Sequence, residues 1–182
     1  MTIPISITLI LLASLSATGC TPTFMPDNPV SKKFPSVQAT ALTGEVVELP
    51  TFFNNSDILV LVGYVQDSQF DIDRWLLGLK QLKTPVAIAE VPTIQGFFPR
   101  IISNSINQGM KNGIPEEDWK LVFTVYKDAE KIAEFLGNTK PRNARIVLID
   151  ESGIVRWFHD RGYSADKVLE LDALVRKRRG KE

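Results

Sequence analysis

The longest unbroken apolar run of the chain's charged portion is Ile58-Leu59-Val60-Leu61-Val62, closed by Gly63. An aliphatic run with no polar alternation is the pattern of a strand covered on both faces. The pattern breaks at Gln66-Asp67-Ser68-Gln69 and resumes with a helical period, placing Ile72, Trp75, Leu76, Leu79 and Leu82 on one face. Ser68 with Asp71 three positions later predicts a capping box at that helix start.

The same reading continues along the chain. Val37 to Leu42 and Val46 to Leu49 flank Thr43-Gly44 and predict a β-hairpin, because glycine admits the positive φ of such turns. Val86 to Val91 reads as a second buried strand ended by Pro92, and Leu121 to Tyr126 as a third. Between them Ile94, Phe97, Phe98, Ile101, Ile102, Ile106 and Met110 recur at helical spacing. They predict a helix that starts near Phe97 or Phe98, because Pro99 fits only a first turn, and stops at Gly113. Asp128 caps a short helix through Leu136, stopped by Gly137. Arg145 to Asp150 and Ile154 to Phe158 are two further strands, and Glu151-Ser152-Gly153 between them forces an antiparallel hairpin. Ser164 caps a last helix that turns Val168, Leu171 and Val175 inward and ends on a basic run, Arg176 to Lys181. The run suits a helix C-terminus and also offers charge to anionic headgroups.

Alternation of strand and helix followed by an antiparallel pair predicts a mixed sheet with helices on both faces. The expected fold is α/β, a three-layer sandwich with an N-terminal hairpin and an inserted helix.

The first twenty residues stand apart. They carry no charge, and Ile3 to Leu15 is apolar but too short for a membrane span. Ser16, Ala17, Thr18 and Gly19 then lead into Cys20, the only cysteine. An apolar core followed by small residues is the composition of a secretory signal. Small residues running into a cysteine resemble the bacterial lipobox, in which the cysteine is acylated and becomes the new N-terminus. That division gives a signal over 1–19, a linker from the lipidated Cys20 over 20–33 and a domain over 34–182. It implies an extracytoplasmic, lipid-anchored protein of the bacterial cell envelope. The alternative is a secreted chain or an uncleaved anchor with an incidental Cys20.

Composition narrows the function classes. Hydrophobic residues make up 44% and charged residues 23% of 182, which describes a folded domain rather than a disordered one. Lys plus Arg and Asp plus Glu number 21 each, so nothing recommends nucleic acid as a partner. With one cysteine, no intramolecular disulfide can form.

The order of elements is similar to that of a thioredoxin-like domain, with the hairpin and insertion common in its peroxiredoxin branch. Within it, Gln108-Gly109-Met110-Lys111-Asn112-Gly113-Ile114-Pro115-Glu116-Glu117 resembles a segment of the mitochondrial ATP synthase assembly factors called ATP-ten and their bacterial relatives. Val147-Leu148-Ile149-Asp150 with Gly153, Arg156 and Trp157 resembles the closing hairpin of the same family. The resemblance implies help in assembling a membrane complex, without enzymatic chemistry of its own. The likeness to the thioredoxin family aligns the redox motif with Ser68-Gln69-Phe70-Asp71, where both sulfurs are missing, and that family's cis-proline with Ala144.

Thiol exchange and peroxide reduction both need an attacking thiolate, which the slot lacks. Ser68 with Asp71 is a nucleophile and a carboxylate without a base, for the single His159 carries no signature as one. The cluster Glu116-Glu117-Asp118 is a set of consecutive loop carboxylates that point different ways and stay solvated. No catalytic residue, cofactor or metal is therefore expected. The expected function is a tethered, redox-inactive binding or assembly factor, with Phe97, Phe98, Met110, Gly113, Ile114 and Pro115 as its partner surface. An oxidoreductase that borrows a partner's cysteine, or a carrier of small ligands or metal, is the competing reading.

Overall fold

The computed structural model describes residues 22–180 except 26, 54–55 and 97–101. Its strands are β1 (Val37–Ala41), β2 (Val46–Leu49), β3 (Ile58–Gly63), β4 (Ala87–Pro92), β5 (Phe123–Thr124), β6 (Arg145–Ile149) and β7 (Val155–His159). The helices are α1 (Gln69–Leu82), α2 (Ser103–Gly113), α3 (Ala129–Leu136) and α4 (Ala165–Arg179).

β3 lies inside a four-stranded sheet of order β4-β3-β6-β7, parallel to β4 and antiparallel to β6. All six of its residues are buried, as the aliphatic run requires. Alternate side chains serve two cores. Leu59 and Leu61 join Ile72, Trp75 and Leu79 of α1 and Val168, Leu171 and Val175 of α4. Val60 and Val62 face the opposite way, with Ile132 and Leu136 of α3 and the β1–β2 hairpin. A second sheet, β2-β1-β5, meets the edge of β4 through parallel bridges at Glu90 and Val122 and at Thr93 and Val125. The result is the expected α/β/α sandwich with a mixed sheet.

The two hairpins form as expected, and Gly44 takes the positive φ (101°) its turn needs. The inserted helix differs. Among the described residues it runs from Ser103, and none of its residues is buried. Ile106 and Met110 are half-buried and Ile102 is 51% exposed. Over Ser103–Gly113 only Ile106 and Met110 are apolar, too few to anchor a helix on the sheet. Polar contacts hold it instead: the Tyr126 hydroxyl donates to Asn107 Oδ1 at 2.8 Å. The Lys111 ammonium sits 4.7 Å over the Trp119 ring. Phe97 and Phe98 lie outside the described residues.

The stretch expected as a linker is bound to the domain where it is described. Near its start, Phe24 N–H donates to Asn138 Oδ1 (2.7 Å), Asn138 N–H to the Phe24 carbonyl (3.0 Å) and Asn138 Nδ2 to the Pro22 carbonyl (3.0 Å). Ser31 and Lys32 then pair with the backbone of Val155, and Phe34 N–H donates to the Gly153 carbonyl. Among the described residues no helix is long and apolar enough to cross a membrane.

Candidate functional site

The end of the sheet where β3, β4 and β7 finish and β6 begins gathers four connections where they are described: 64–68, 93–96, 137–144 and 160–164. Strand ends that converge in this way build the crevice where open α/β sheets hold ligands.

The 64–68 connection folds tightly back over β3. A Cβ placed on Gly63 would meet Ser68 Oγ at 2.5 Å, so only glycine permits this approach. The Ser68 hydroxyl donates to the Val65 carbonyl at 2.6 Å and is buried. It makes no hydrogen bond to the helix it precedes, and its backbone is already helical. The capping box expected from Ser68 and Asp71 is therefore absent, because each side chain has a better partner elsewhere.

For Asp71 that partner is the rest of the site. Its Oδ2 accepts the N–H of Ala144 at 2.8 Å and its Oδ1 the N–H of Tyr163 at 2.7 Å. One buried carboxylate thus ties α1 to the two loops on either side of the β6–β7 pair. Ala144 can donate because it is not proline, which has no N–H. The outer residues of the slot, Ser68 and Asp71, are buried, whereas Gln69 is exposed and Phe70 is 70% exposed. Both buried side chains hydrogen-bond to backbone, Ser68 through its hydroxyl and Asp71 through its carboxylate.

Arg145, which the sequence placed only as a strand start, is the second fastener. Its buried guanidinium donates to the carbonyls of Gly137 (3.0 Å), Lys140 (2.9 Å) and Asn143 (2.6 Å) and lies 5.1 Å from the Tyr64 ring centre. Burial lowers the pKa of the guanidinium and raises that of the Tyr64 phenol. A cation opening an otherwise apolar strand was the only signal for it. Arg142 adds an ion pair to Asp67 at 3.2 Å, joining the 137–144 loop to the slot turn.

His159 ends β7 with Nε2 2.8 Å from the Gly162 carbonyl and its ring stacked on Trp157. It is satisfied where it stands. Glu116, Glu117 and Asp118 lie exposed in a short 3-10 turn. Among the described residues no group of three or more His, Cys, Asp or Glu could hold a metal ion. Asp128 does precede α3 but does not cap it. Its carboxylate accepts the N–H of Gln38 on β1 at 2.9 Å instead. The basic end of α4 is also engaged within the chain. Arg176 pairs with Asp172 and donates to the Leu82 carbonyl, Arg178 pairs with Asp57, and Arg179 donates to the Pro85 carbonyl.

Of the expected partner surface, Gly113, Ile114 and Pro115 line a groove of about 610 Å³ beside α1 and β4. Gln69 reaches into it from the slot, donating to Asp73 (3.0 Å) and Glu90 (3.3 Å). Burial raises the pKa of Glu90, against the bond from Gln69, and the charges of Asp73 and Asp118 raise it further.

No protein-family model matches the chain, and no curated protein does. Solved structures do match. The thiol peroxidase from Chromobacterium violaceum superposes with a TM-score of 0.56 at 12% identity, over 87% of this chain and 93% of its own. A SCO1/SenC family lipoprotein from Bacillus anthracis gives 0.56 at 10% identity, over 83% and 99%. BsSco, a member of the Sco family of cytochrome c oxidase assembly proteins, gives 0.56 at 10%, over 83% and 97%. At such identities the likeness extends to architecture alone. The fold of this chain is thioredoxin-like.

Proposed function

We propose that this chain is a membrane-tethered, redox-inactive member of the thioredoxin-like fold, acting as a binding or assembly factor for a membrane or envelope complex. The observation that carries this reading is the Asp71 carboxylate, buried and bonded to Ala144 and Tyr163 where a redox enzyme needs a thiol. A group fixed by two backbone donors is a fastener, and a serine hydroxyl tied to Val65 forms no disulfide. The Sco-family likeness adds that the same fold serves assembly proteins, one of them a lipoprotein. The resemblance of 108–117 to the ATP-ten family points the same way, and its Gly113-Ile114-Pro115 lines the groove. Acylation at Cys20 supplies the tether.

The purified protein is expected to show no disulfide reductase or peroxide turnover. Turnover abolished by Ser68→Ala would overturn the reading. In intact cells, photocrosslinkers at Met110 and Ile114 are expected to capture one reproducible membrane-complex subunit. Nothing captured from a folded protein counts against an assembly role. Palmitate incorporation that survives Cys20→Ala refutes the anchor.

A further inference from the structure

We infer that the slot end of the sheet lies against the lipid bilayer, with Met25, Val65, Phe70 and Ile102 in contact with the headgroup and acyl boundary. This rests on acylation at Cys20, and what it adds is the orientation of the domain.

The Asn138 clamp fixes where the chain leaves the fold. Three hydrogen bonds hold Pro22 and Phe24 to Asn138. Asn138 belongs to the 137–144 connection, at the slot end, and its Nδ2 also donates to Gln95 Oε1 at 2.9 Å. Two peptide steps separate Pro22 from Cys20, a reach of at most about 7 Å. An acyl chain on Cys20 therefore cannot enter the bilayer unless the Asn138 end comes down to the headgroups.

The surface at that end suits the contact. Among the described residues the exposed large apolar side chains are Met25, Val30, Val46, Phe52, Val65, Phe70, Leu77, Ile102, Leu121, Tyr163 and Leu169. Val65, Phe70 and Tyr163 lie on the slot-end connections or the first turn of α1. Ile102 precedes Ser103, whose carbonyl accepts from the Tyr126 hydroxyl next to the Thr93–Val125 bridge, and Met25 follows the clamped Phe24. Phe70 (70% exposed) and Met25 (78%) are the most exposed members of this group. Exposed apolar side chains gathered around one tether mark an interaction face, and here the tether states what covers it. The charged side chains there are few and of both signs, Lys140, Arg142 and Arg161 against Asp67 and Asp160, and Arg142 is paired with Asp67. The contact is therefore mainly apolar, and salt has little effect on it. The opposite end carries the arginines of α4, each engaged with its own domain. A basic-end-down pose would also place the clamped Pro22 far from the membrane.

The test uses full-length acylated protein in phosphatidylethanolamine–phosphatidylglycerol vesicles that contain a nitroxide-labelled lipid. An environment-sensitive fluorophore is attached at Phe70→Cys, Ile102→Cys or Ser152→Cys, the last on the β6–β7 hairpin at the far end. The acylated Cys20 does not react. Labels at 70 and 102 are expected to shift to the blue and to be quenched several-fold more than at 152, equally in low and high salt. Asn138→Ala removes the two side-chain bonds of the clamp and should reduce that difference while palmitate remains on Cys20. Equal or stronger quenching at 152 with Cys20 acylated overturns the orientation and leaves the anchor standing, as does a difference that ignores Asn138→Ala. Palmitate incorporation unchanged in Cys20→Ala overturns both.

Discussion

Asp71 Oδ2 accepts the backbone N–H of Ala144 at 2.8 Å, closing a loop of 73 residues with one bond. By resemblance, one end of the bond is the second sulfur position of a redox motif and the other is the position of a cis-proline. A thiol at 71 would be a poor acceptor, and a proline at 144 would offer no donor. The bond needs an acceptor at 71 and a donor at 144 together, and it fastens α1 to the start of β6.

Such a junction is testable by a double-mutant cycle. Asp71→Ala orphans two N–H groups and should destabilise the domain by about 2–4 kcal/mol. Ala144→Pro alone leaves Oδ2 without its donor and should also destabilise. Combined, the two should cost less than their sum, with a coupling of about 1–3 kcal/mol. Urea denaturation of the four proteins measures it. Strict additivity would show that the bond contributes nothing.

The turn above β3 gives a second cycle. Gly63→Ala drives its Cβ onto Ser68 Oγ, while the next atoms, the Ile72 Cδ1 methyl at 3.3 Å and the Ser68 Cβ at 3.6 Å, would need only a small shift of the Ile72 side chain. The single variant must break the Ser68–Val65 bond and shift the turn, at a cost of about 1–3 kcal/mol. Ser68→Ala removes the obstructing oxygen and gives up one neutral hydrogen bond, about 1 kcal/mol. Gly63→Ala with Ser68→Ala should therefore be more stable than Gly63→Ala alone, by the shift in urea midpoint. A double variant less stable than either single one rules out the steric account.

How far the sequence revealed this follows from the range of each interaction. β3 and α1 were legible because burial writes a pattern into consecutive residues, an unbroken run over Ile58 to Val62 and a helical period over Ile72 to Leu82. Ser164 was legible as a cap because its acceptor bond runs to Lys167, three residues on. Ser68 has the same local signature, but its hydroxyl turns back to Val65, and Asp71 spends its oxygens 73 and 92 positions away. Local spacing cannot encode that choice. Arg145 and the Asn138 clamp escaped for the same reason, since their partners are distant backbone carbonyls and N–H groups, which leave no mark in the sequence. The periodicity read into 94–110 overreached at α2, where polar residues and glycine fill every position but Ile106 and Met110 and the packing is polar.

Lys83 ends α1 in the left-handed region at φ 52°, with its N–H donating to the carbonyls of Leu79 and Lys80. A side chain in that region costs about 1–2 kcal/mol that glycine avoids. Lys83→Gly loses some of this gain to the entropy of the unfolded chain and should still raise stability by about 0.5–1 kcal/mol. Thermal unfolding measures it, and a lowered Tm would refute the argument.

Carboxylates in this fold oppose one another with pH. Asp128 is held below its ordinary value of 3.8, chiefly by the N–H of Gln38. Asp150 is also held below 3.8: burial raises it, but the Ile154 N–H, Arg156 and the Ser152 N–H outweigh that. A depressed carboxyl stabilises the fold above the ordinary aspartate range, and this is lost as pH falls through the depressed value. Glu90 has the reverse sign, because burial raises it above 4.5. The folded state then binds the proton more tightly than the unfolded chain, so Glu90 withdraws stability as pH rises past the ordinary glutamate range. Glu90→Gln keeps a polar partner for Gln69 without the charge. Its Tm should exceed that of the wild type at pH 7, and the gap should close near pH 4. Asp128→Asn and Asp150→Asn should do the opposite, trailing the wild type at pH 7 and approaching it only as pH falls below the ordinary aspartate value of 3.8. Parallel Tm curves for Glu90→Gln and wild type across that range would remove the burial of Glu90 as their cause.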